Sequence, residues 1–307
     1  MPSATAVGPV TRLLDNRAQT LFDDGRFEEA IEAAEASVES ARRLYKEGDS
    51  ASLRDLLEAM IVAADIKRHT GFMEAAEGLY RDVLKLTAPG DGMQRQIAFA
   101  EAGLGDIHEE RGQVVESLRR YESAVKALDE IGAPVTEECC RLRNNLAMIY
   151  KDEGDHEAAE AHLITGIQRM ESSIGRYNLT TATLYGNLSA LYCAVQHYEE
   201  AREMGLLARD IRRQILPANH PENAQALSNL GAIHYALDDL DAAVDCFAMA
   251  VEAMDSNADT DPVDYEVVVS NYIDLLRQRG ESEKADQIAQ QARNRYQELN
   301  RLRNGNG

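Results

Sequence analysis

An asparagine followed by a large apolar residue recurs at a fixed spacing in the second half of the chain. The pairs are Asn145-Leu146, Asn187-Leu188, Asn229-Leu230 and Asn271-Tyr272, and each step is 42 residues long. A fixed period of this size is typical of repeat proteins, which stack one small unit of secondary structure several times. The period therefore restricts the possible folds more than any other feature of the sequence.

Each repeat has the pattern of two helices joined by a tight turn. In the repeat that begins near Cys139, apolar residues follow helical spacing over about 139–152 and 156–170, and Gly154 interrupts the pattern between them. The corresponding turn residues are Gly25, Gly71, Gly112, Gly154, Gln196, Asp238 and Gly280. We expect Leu146, Leu188, Leu230 and Tyr272 to fill the inside of each first helix.

Small residues recur where the two helices of a repeat must cross closely. One column in the second helix comprises Ala30, Ala76, Ser117, Ala159, Ala201, Ala243 and Ala285. A second column lies seven residues further on, at Gly166, Ala208, Ala250 and Ala292. Such a unit cannot bury its apolar face alone, so neighbouring units must stack.

The sequence predicts an all-α fold, a right-handed α-solenoid of about seven helix pairs with a polar capping helix at the C-terminal end. The predicted pairs are about 9–47, 52–87, 94–131, 137–172, 178–215, 221–254 and 264–303. We expect residues 1–8 and 304–307 to be disordered. One continuous solenoid is favoured over two domains, because no linker rich in proline, glycine or serine interrupts the pattern.

The small and large columns resemble those of tetratricopeptide repeats. The linker 216–224, which contains His220-Pro221, and the segment 227–231, Leu-Ser-Asn-Leu-Gly, resemble the kinesin-light-chain type of these repeats. That type has a His-Pro linker and an Asn-Leu first helix. The resemblance is strongest over 139–292 and weaker over most of the remaining chain. Kinesin light chains carry a heptad coiled coil before their repeats, whereas stand-alone bacterial relatives, some of which accompany bacterial tubulins, are closer to this chain.

The composition limits the partners. The chain has 53 acidic and 32 basic residues, a net charge of −21, which argues against nonspecific binding to nucleic acid or to an anionic membrane. Its four cysteines show no Cys-x-x-Cys spacing, so we expect reduced thiols in a cytoplasmic protein. No segment approaches the length of a membrane span, and membrane contact would be at most peripheral. We find no motif for catalysis, for a cofactor or for zinc.

The resemblance implies that the asparagine column faces a concave groove and bonds the backbone of an extended peptide. Asn145, Asn187, Asn229 and Asn271 would fill this role, because an amide both donates and accepts. The alternative is that these amides hydrogen-bond the neighbouring repeat and hold the superhelix. Val62 and Gly103 interrupt the column in pairs 2 and 3. Further candidate partner-binding residues of the groove are Asn144, Arg141, Lys151, Tyr235 and Arg277.

Charge differs along the predicted groove. In pairs 1 to 3 it carries Asp15, Asp65, Asp106, Glu109 and Glu110, whereas in pairs 4 to 7 it is nearly neutral. The acidic residues would either meet a partner or solvate the helix faces.

Two other stretches allow a specific and a general interpretation. Residues 255–266 place acidic or amide side chains at calcium-loop spacing, but Thr260 stands where the loop needs glycine, so we predict an acidic linker that caps the next helix.

In the last helix we expect Ile288, Ala289, Ala292, Tyr296 and Leu299 to pack on the preceding helix. Arg301 and Arg303 would either meet an acidic surface or complement the helix dipole.

Taken together, these features predict a non-catalytic adaptor or scaffold that binds a partner protein or an extended peptide in its groove. A tubulin-like filament is one candidate partner. The alternative is a regulatory sensor that responds to a peptide.

Overall fold

The computed structural model describes residues 8–305 except 89, 131–136 and 259, and leaves the side chains of residues 8, 9, 138 and 303–305 undescribed. Over this part of the chain the fold is all-α, as predicted. The helices are α1 Gly8–Asp23, α2 Phe27–Leu44, α3 Ser50–His69, α4 Met73–Leu86, α5 Gln94–Glu110, α6 Val114–Glu130, α7 Glu137–Asp152, α8 His156–Ser173, α9 Leu179–Ala194, α10 Tyr198–Ile215, α11 Pro221–Ala236, α12 Leu240–Asp255, α13 Pro262–Gln278 and α14 Ser282–Gly305.

The helices form the seven predicted pairs, which divide between two compact units. Unit 1 spans residues 1–134 and holds α1 to α6, and unit 2 spans residues 135–307 and holds α7 to α14. Each unit has its own apolar core between its helices. The α-solenoid prediction is confirmed at the level of stacked helix pairs, while one continuous stack across both units stays a prediction.

The predicted turn column is confirmed at all seven positions. Every residue of the column has a positive φ, including Gln196 at 63° and Asp238 at 61°. In each turn the N–H of the third residue after the helix donates to a carbonyl five residues earlier, as when Asp155 donates to Tyr150 at 2.8 Å. This is the Schellman arrangement, which satisfies the last carbonyls of a helix and turns the chain back. Glycine suits the position because it adopts a positive φ without steric cost.

The first column of small residues is buried completely. All seven members, from Ala30 to Ala285, have no exposed surface. In the second column Gly166, Ala208 and Ala250 are buried, and Ala292 in the last pair is half-buried. A methyl group at Gly166 would lie 3.3 Å from Leu184 of α9, so the first helix of the following pair covers this column. Small side chains thus allow both the close crossing within a pair and the stacking of the next one.

Both ends of the described chain differ from the sequence prediction. Helix α1 begins at Gly8, and α14 continues to Gly305, so Gly8 and residues 304–305 are helical and not disordered. The expected packing of the last helix is only partly found. Leu299 is buried, but Ala289, Ala292 and Tyr296 are half-buried and line a groove that is open to solvent.

Candidate partner-binding face

The first helices of the four pairs in unit 2 carry the predicted partner-binding residues. We call the solvent-facing side of α7, α9, α11 and α13 the helix-A face. Asn229 and Asn271 are exposed on it, together with Arg141, Tyr235 and Arg277, whereas Asn145, Asn187, Asn144 and Lys151 are half-buried. Helical spacing explains the common side, since residues three or four apart share a face.

The amides of this face do not all have the same environment. Asn187 Nδ2 donates to Asn144 Oδ1 of the preceding pair at 2.6 Å. Asn229 Oδ1 accepts from Gln225 Nε2 of its own helix at 2.9 Å. Asn187 therefore makes the bond between repeats that was the alternative role, while Asn229 and Asn271 present exposed amides to solvent.

A recess opens in the helix-A face between α11 and α13. Its volume is about 280 Å³. Ala232, Phe247 and Leu275 form its apolar surface, and Asn271, Gln278 and Asp274 supply polar atoms. Tyr235 donates its hydroxyl to Gln278 Oε1 at 2.9 Å and so fixes one wall. An apolar floor with a few converging polar groups is the usual form of a binding recess in a protein surface.

The floor of the recess depends on a glycine. Phe247 belongs to α12, yet its buried ring reaches the helix-A face beside Gly231 of α11. A methyl group at Gly231 would lie 3.0 Å from the ring, which is closer than ordinary van der Waals contact. Gly231 thus makes room for the aromatic floor.

The charged candidate residues of this face are weakly engaged. Lys151 Nζ lies 3.3 Å from Asp152. Arg277 lies 3.5 Å from Asp286, and the side chains of both residues in this second pair are at least half exposed. Exposed ion pairs contribute little to stability, so Arg277 can exchange its partner at low cost. Asp274 at the rim is exposed and contributes a carboxylate that faces solvent.

The acidic residues predicted for unit 1 are engaged within the fold. Tyr80 donates to Asp65 at 2.5 Å, and Tyr121 donates to Asp106 at 2.5 Å and to Glu109 at 2.8 Å. Burial and the neighbouring carboxylates raise the pKa of both tyrosines, so they stay protonated as donors. The predicted acidic face is therefore in large part an internal network.

Arg68 of α3 completes this network. It lies 3.0 Å from Asp106 and 3.2 Å from Glu110, and its side chain is only 10% exposed. Burial opposes its charge most strongly, but Asp106, Tyr80 and Asp65 together outweigh burial and raise the pKa of the guanidinium. Sequence reasoning missed Arg68 and the two tyrosines. A signal existed, because Tyr80 and Tyr121 both stand four residues after the small column, 41 residues apart, like Asp65 and Asp106.

The acidic linker after α12 acts as a structural connection. Asp261 accepts from the N–H of Val263 at 2.8 Å and caps α13, as predicted. Thr260 donates its hydroxyl to the Met254 carbonyl at 2.9 Å, and Asp255 accepts from Tyr265 at 2.7 Å. Asp259, one of the five possible calcium ligands, lies outside the described residues. Among the described residues, no group of three or more histidine, cysteine or acidic side chains is placed to hold a metal ion.

The four cysteines form no disulfide, and Cys140 is in a buried environment that does not favour reactivity. Its sulfur lies 3.5 Å from the Gly166 carbonyl, and burial raises its pKa to about 11. A thiol with so high a pKa is a poor nucleophile. No helix within the described part of the chain is both long and apolar enough to cross a membrane.

Comparisons with known proteins agree with this architecture. Models of the family "Tetratricopeptide repeat" match residues 10–50, 138–214 and 180–256, which together make up slightly more than half of the chain. No curated protein matches the chain in sequence.

Solved structures are similar over most of the chain. The crystal structure of BtubC (BKLC) from P. vanneervenii is 27% identical, with a TM-score of 0.64, and the match covers 74% of this chain and 90% of that one. A putative kinesin light chain with nearly identical TPR-like repeats, from Podosopora anserina, is 17% identical, with a TM-score of 0.54, over 68% of this chain and 98% of that one.

A Rap protein complexed with competence and sporulation factor is 13% identical, with a TM-score of 0.54, over 94% of this chain and 77% of that one. At these two lower identities the likeness concerns the fold. With its turn and small-residue columns confirmed by the structure, the chain belongs to the tetratricopeptide repeat family, and its repeats resemble those of kinesin light chains.

Proposed function

We propose that this protein is a non-catalytic cytoplasmic adaptor that binds an extended segment of a partner protein on the helix-A face of unit 2. Repeat proteins of this family are in general scaffolds for protein–protein interaction. The observation that carries the proposal is the recess between α11 and α13, with the exposed amide of Asn271 beside the aromatic floor of Phe247.

The chemistry of the recess defines the segment that would fit. Exposed amides at Asn229 and Asn271 can donate to and accept from a peptide backbone of any sequence. The recess of about 280 Å³ would take one side chain of the segment. Its floor favours an apolar stem, and the Asp274 carboxylate at the rim favours a cationic end, so we propose a lysine or arginine at this point of the segment. A basic segment would also be attracted by the net charge of −21.

A tubulin-like filament is the partner that we propose to test first. The support is the sequence resemblance to stand-alone bacterial relatives of kinesin light chains, some of which accompany bacterial tubulins, and the likeness to BtubC at 27% identity.

The decisive experiment closes the recess. Ala232 is exposed on α11, and Ala232→Arg would place a long cation in the cavity without disturbing the core. Met249→Arg is the matched control, since Met249 is also exposed but lies on α12, away from the recess. Wild type and both variants are used as bait in affinity capture from native cytosol, and as the added protein in co-sedimentation with tubulin-like filaments.

We expect a captured protein, or filament co-sedimentation, to be lost with Ala232→Arg and retained with Met249→Arg. Recovery of a small free peptide in place of a protein would favour the alternative function as a peptide-responsive sensor. Equal binding by all three proteins would place the interface elsewhere and contradict the proposal.

A further inference from the structure

The last helix pair of unit 2 has an open groove on the side where another pair would stack. Residues of α13 between Glu266 and Arg277 line one side of the groove, and residues of α14 between Ala289 and Tyr296 line the other. On both helices the lining residues are spaced mainly three and four positions apart. The cavity has a volume of about 310 Å³. Two stripes of this spacing on adjacent helices form a trough that matches the side of a third helix.

The preceding pair shows what fills such a groove. One repeat earlier, the positions that correspond to the α14 stripe are Phe247, Ala250, Val251 and Met254 of α12, which are between 0 and 7% exposed. They are buried because α13 packs against α12. In the last pair, Ala289, Ala292 and Tyr296 are half-buried, and no described helix covers them. The groove thus has the form of a helix-binding site whose occupant is not part of the described chain.

The charges at the two ends of the α13 stripe are self-complementary. Glu266 and Arg277 are both exposed on the same side of α13, eleven residues or about three turns apart. If a second α13 lies antiparallel to the first, each Glu266 faces the Arg277 of the other copy. Between these two positions, Ser270 of each copy then lies opposite Ile273 of the other copy. Arg277 is free to take part, because its present pair with Asp286 is exposed and 3.5 Å long.

The net charge of the pair also favours a second copy. Residues 262–305 contain seven acidic and seven basic side chains, whereas the whole chain carries −21. Two copies that approach through this pair bring together surfaces without a net charge. Repulsion between like-charged proteins falls off over about 8 Å at physiological salt, so the charge of the contacting pair itself matters most at the contact.

We propose that the open groove is a self-association site, where α13 of a second copy packs antiparallel against α13 and α14 in a symmetric dimer. Such a contact uses the same patch on both copies and closes on itself, so it ends at two copies and does not continue into a fibre. Asp274 lines both this groove and the helix-A recess, but the other residues of the recess lie outside the groove. Each copy would therefore keep a recess for its own partner, and the adaptor would be bivalent.

Sedimentation velocity or light scattering at increasing concentrations of the full chain tests this proposal. We expect the mass to rise from one copy to two. Glu266→Arg and Arg277→Glu, taken singly, each place like charges opposite each other at both ends of the contact and should raise the dimer dissociation constant about tenfold or more. The double variant restores opposite charges and should return the constant close to the wild-type value.

Matched controls separate this geometry from a general effect of charge. Glu283→Arg and Arg301→Glu change the charge by the same amounts at exposed positions of α14 outside the groove, and should leave the dimer unchanged. Circular dichroism checks the helix content of every variant. A chain that stays monomeric at every concentration, or a dimer that the double variant does not rescue, would overturn the proposal.

Discussion

The ring of Tyr80 lies directly against the backbone of Gly103. A methyl group at residue 103 would stand 2.2 Å from Cζ of Tyr80, a distance that no real contact allows. The ring cannot move away easily, because Tyr80 is fully buried and its hydroxyl is held by Asp65 at 2.5 Å. The interruption of the asparagine column in pair 3 therefore has a steric cause.

The first prediction concerns this contact. Gly103→Ala should lower the free energy of unfolding by about 1–3 kcal/mol, since the added methyl forces the ring or α5 to shift. Gly78→Ala is the control, because Gly78 is exposed within α4 with nothing within 4 Å of the added methyl. That variant should be stabilised by about 0.5–1 kcal/mol. Urea unfolding followed by circular dichroism measures both, and equal shifts in the same direction would disprove the steric explanation.

The second prediction concerns the two turns that lack glycine. Gln196 and Asp238 hold positive φ angles that cost an ordinary side chain roughly 1–2 kcal/mol. Gln196→Gly should therefore raise the unfolding free energy by about 1 kcal/mol. Asp238→Gly should gain less, since aspartate tolerates this conformation better. Gly154→Ala introduces the same strain and should lower the unfolding free energy. Thermal unfolding of the three variants measures the order of stability, and a Gln196→Gly variant that is not stabilised would contradict the prediction.

The third prediction follows from Asp15 and its pH dependence. Burial, and then the nearby Glu58 and Asp55, raise the pKa of Asp15 in the folded chain, although a bond with Ser37 partly opposes this. The folded state then holds a proton that the unfolded state has already lost. Stability accordingly falls as the pH rises from the ordinary aspartate pKa to the raised one. Asp15→Asn should remove this loss.

The Asp15→Asn variant should match wild type at low pH and become the more stable of the two above the raised pKa. Urea midpoints across a pH series give the comparison, with Asp24→Asn as a control at an exposed carboxylate. A difference that stays constant with pH would show that Asp15 is not the group responsible.

The fourth prediction separates the members of the asparagine column. Asn187→Ala should cost about 1 kcal/mol of stability, because it leaves the half-buried Asn144 without its donor. Asn271→Ala, at an exposed position beside the recess, should change stability by less than about 0.5 kcal/mol and weaken partner binding. Denaturation and affinity capture of the same proteins measure the two effects. If binding falls equally in both variants with stability intact, the whole column acts as a peptide ladder.

The helix pairs could be predicted from the sequence because their signals are local. The turn after each first helix needs a residue that adopts a positive φ, which is usually glycine. Gln196 and Asp238 are not glycine, but they follow Gly154 at steps of 42 residues and could therefore be recognised as turn residues as well. The full burial of Ala159 and its equivalents follows from the same regularity, since each residue of a column meets the same neighbours.

The environment of each polar side chain was less predictable, because it depends on contacts between different helices. Asp65 and Asp106 have the sequence pattern of a solvated acidic face, yet buried tyrosines from the second helices donate to them. The recess required Phe247 to pass beside Gly231, a relationship between two helices that periodicity alone does not show. The open groove at Ala292 was missed for a similar reason, since an apolar stripe has the same pattern whether or not another helix covers it.

The buried small column also bears on how a chain of this kind can change its length. Because Ala159, Ala201, Ala243 and Ala285 are buried to the same degree at identical spacing, each 42-residue block fits the block before it and the block after it. Removal of residues 188–229 would join Asn187 to Leu230 and keep every column in register. Duplication of the same block would do so as well. Binding surface can therefore be added or removed in whole repeats, without a new core having to be invented each time.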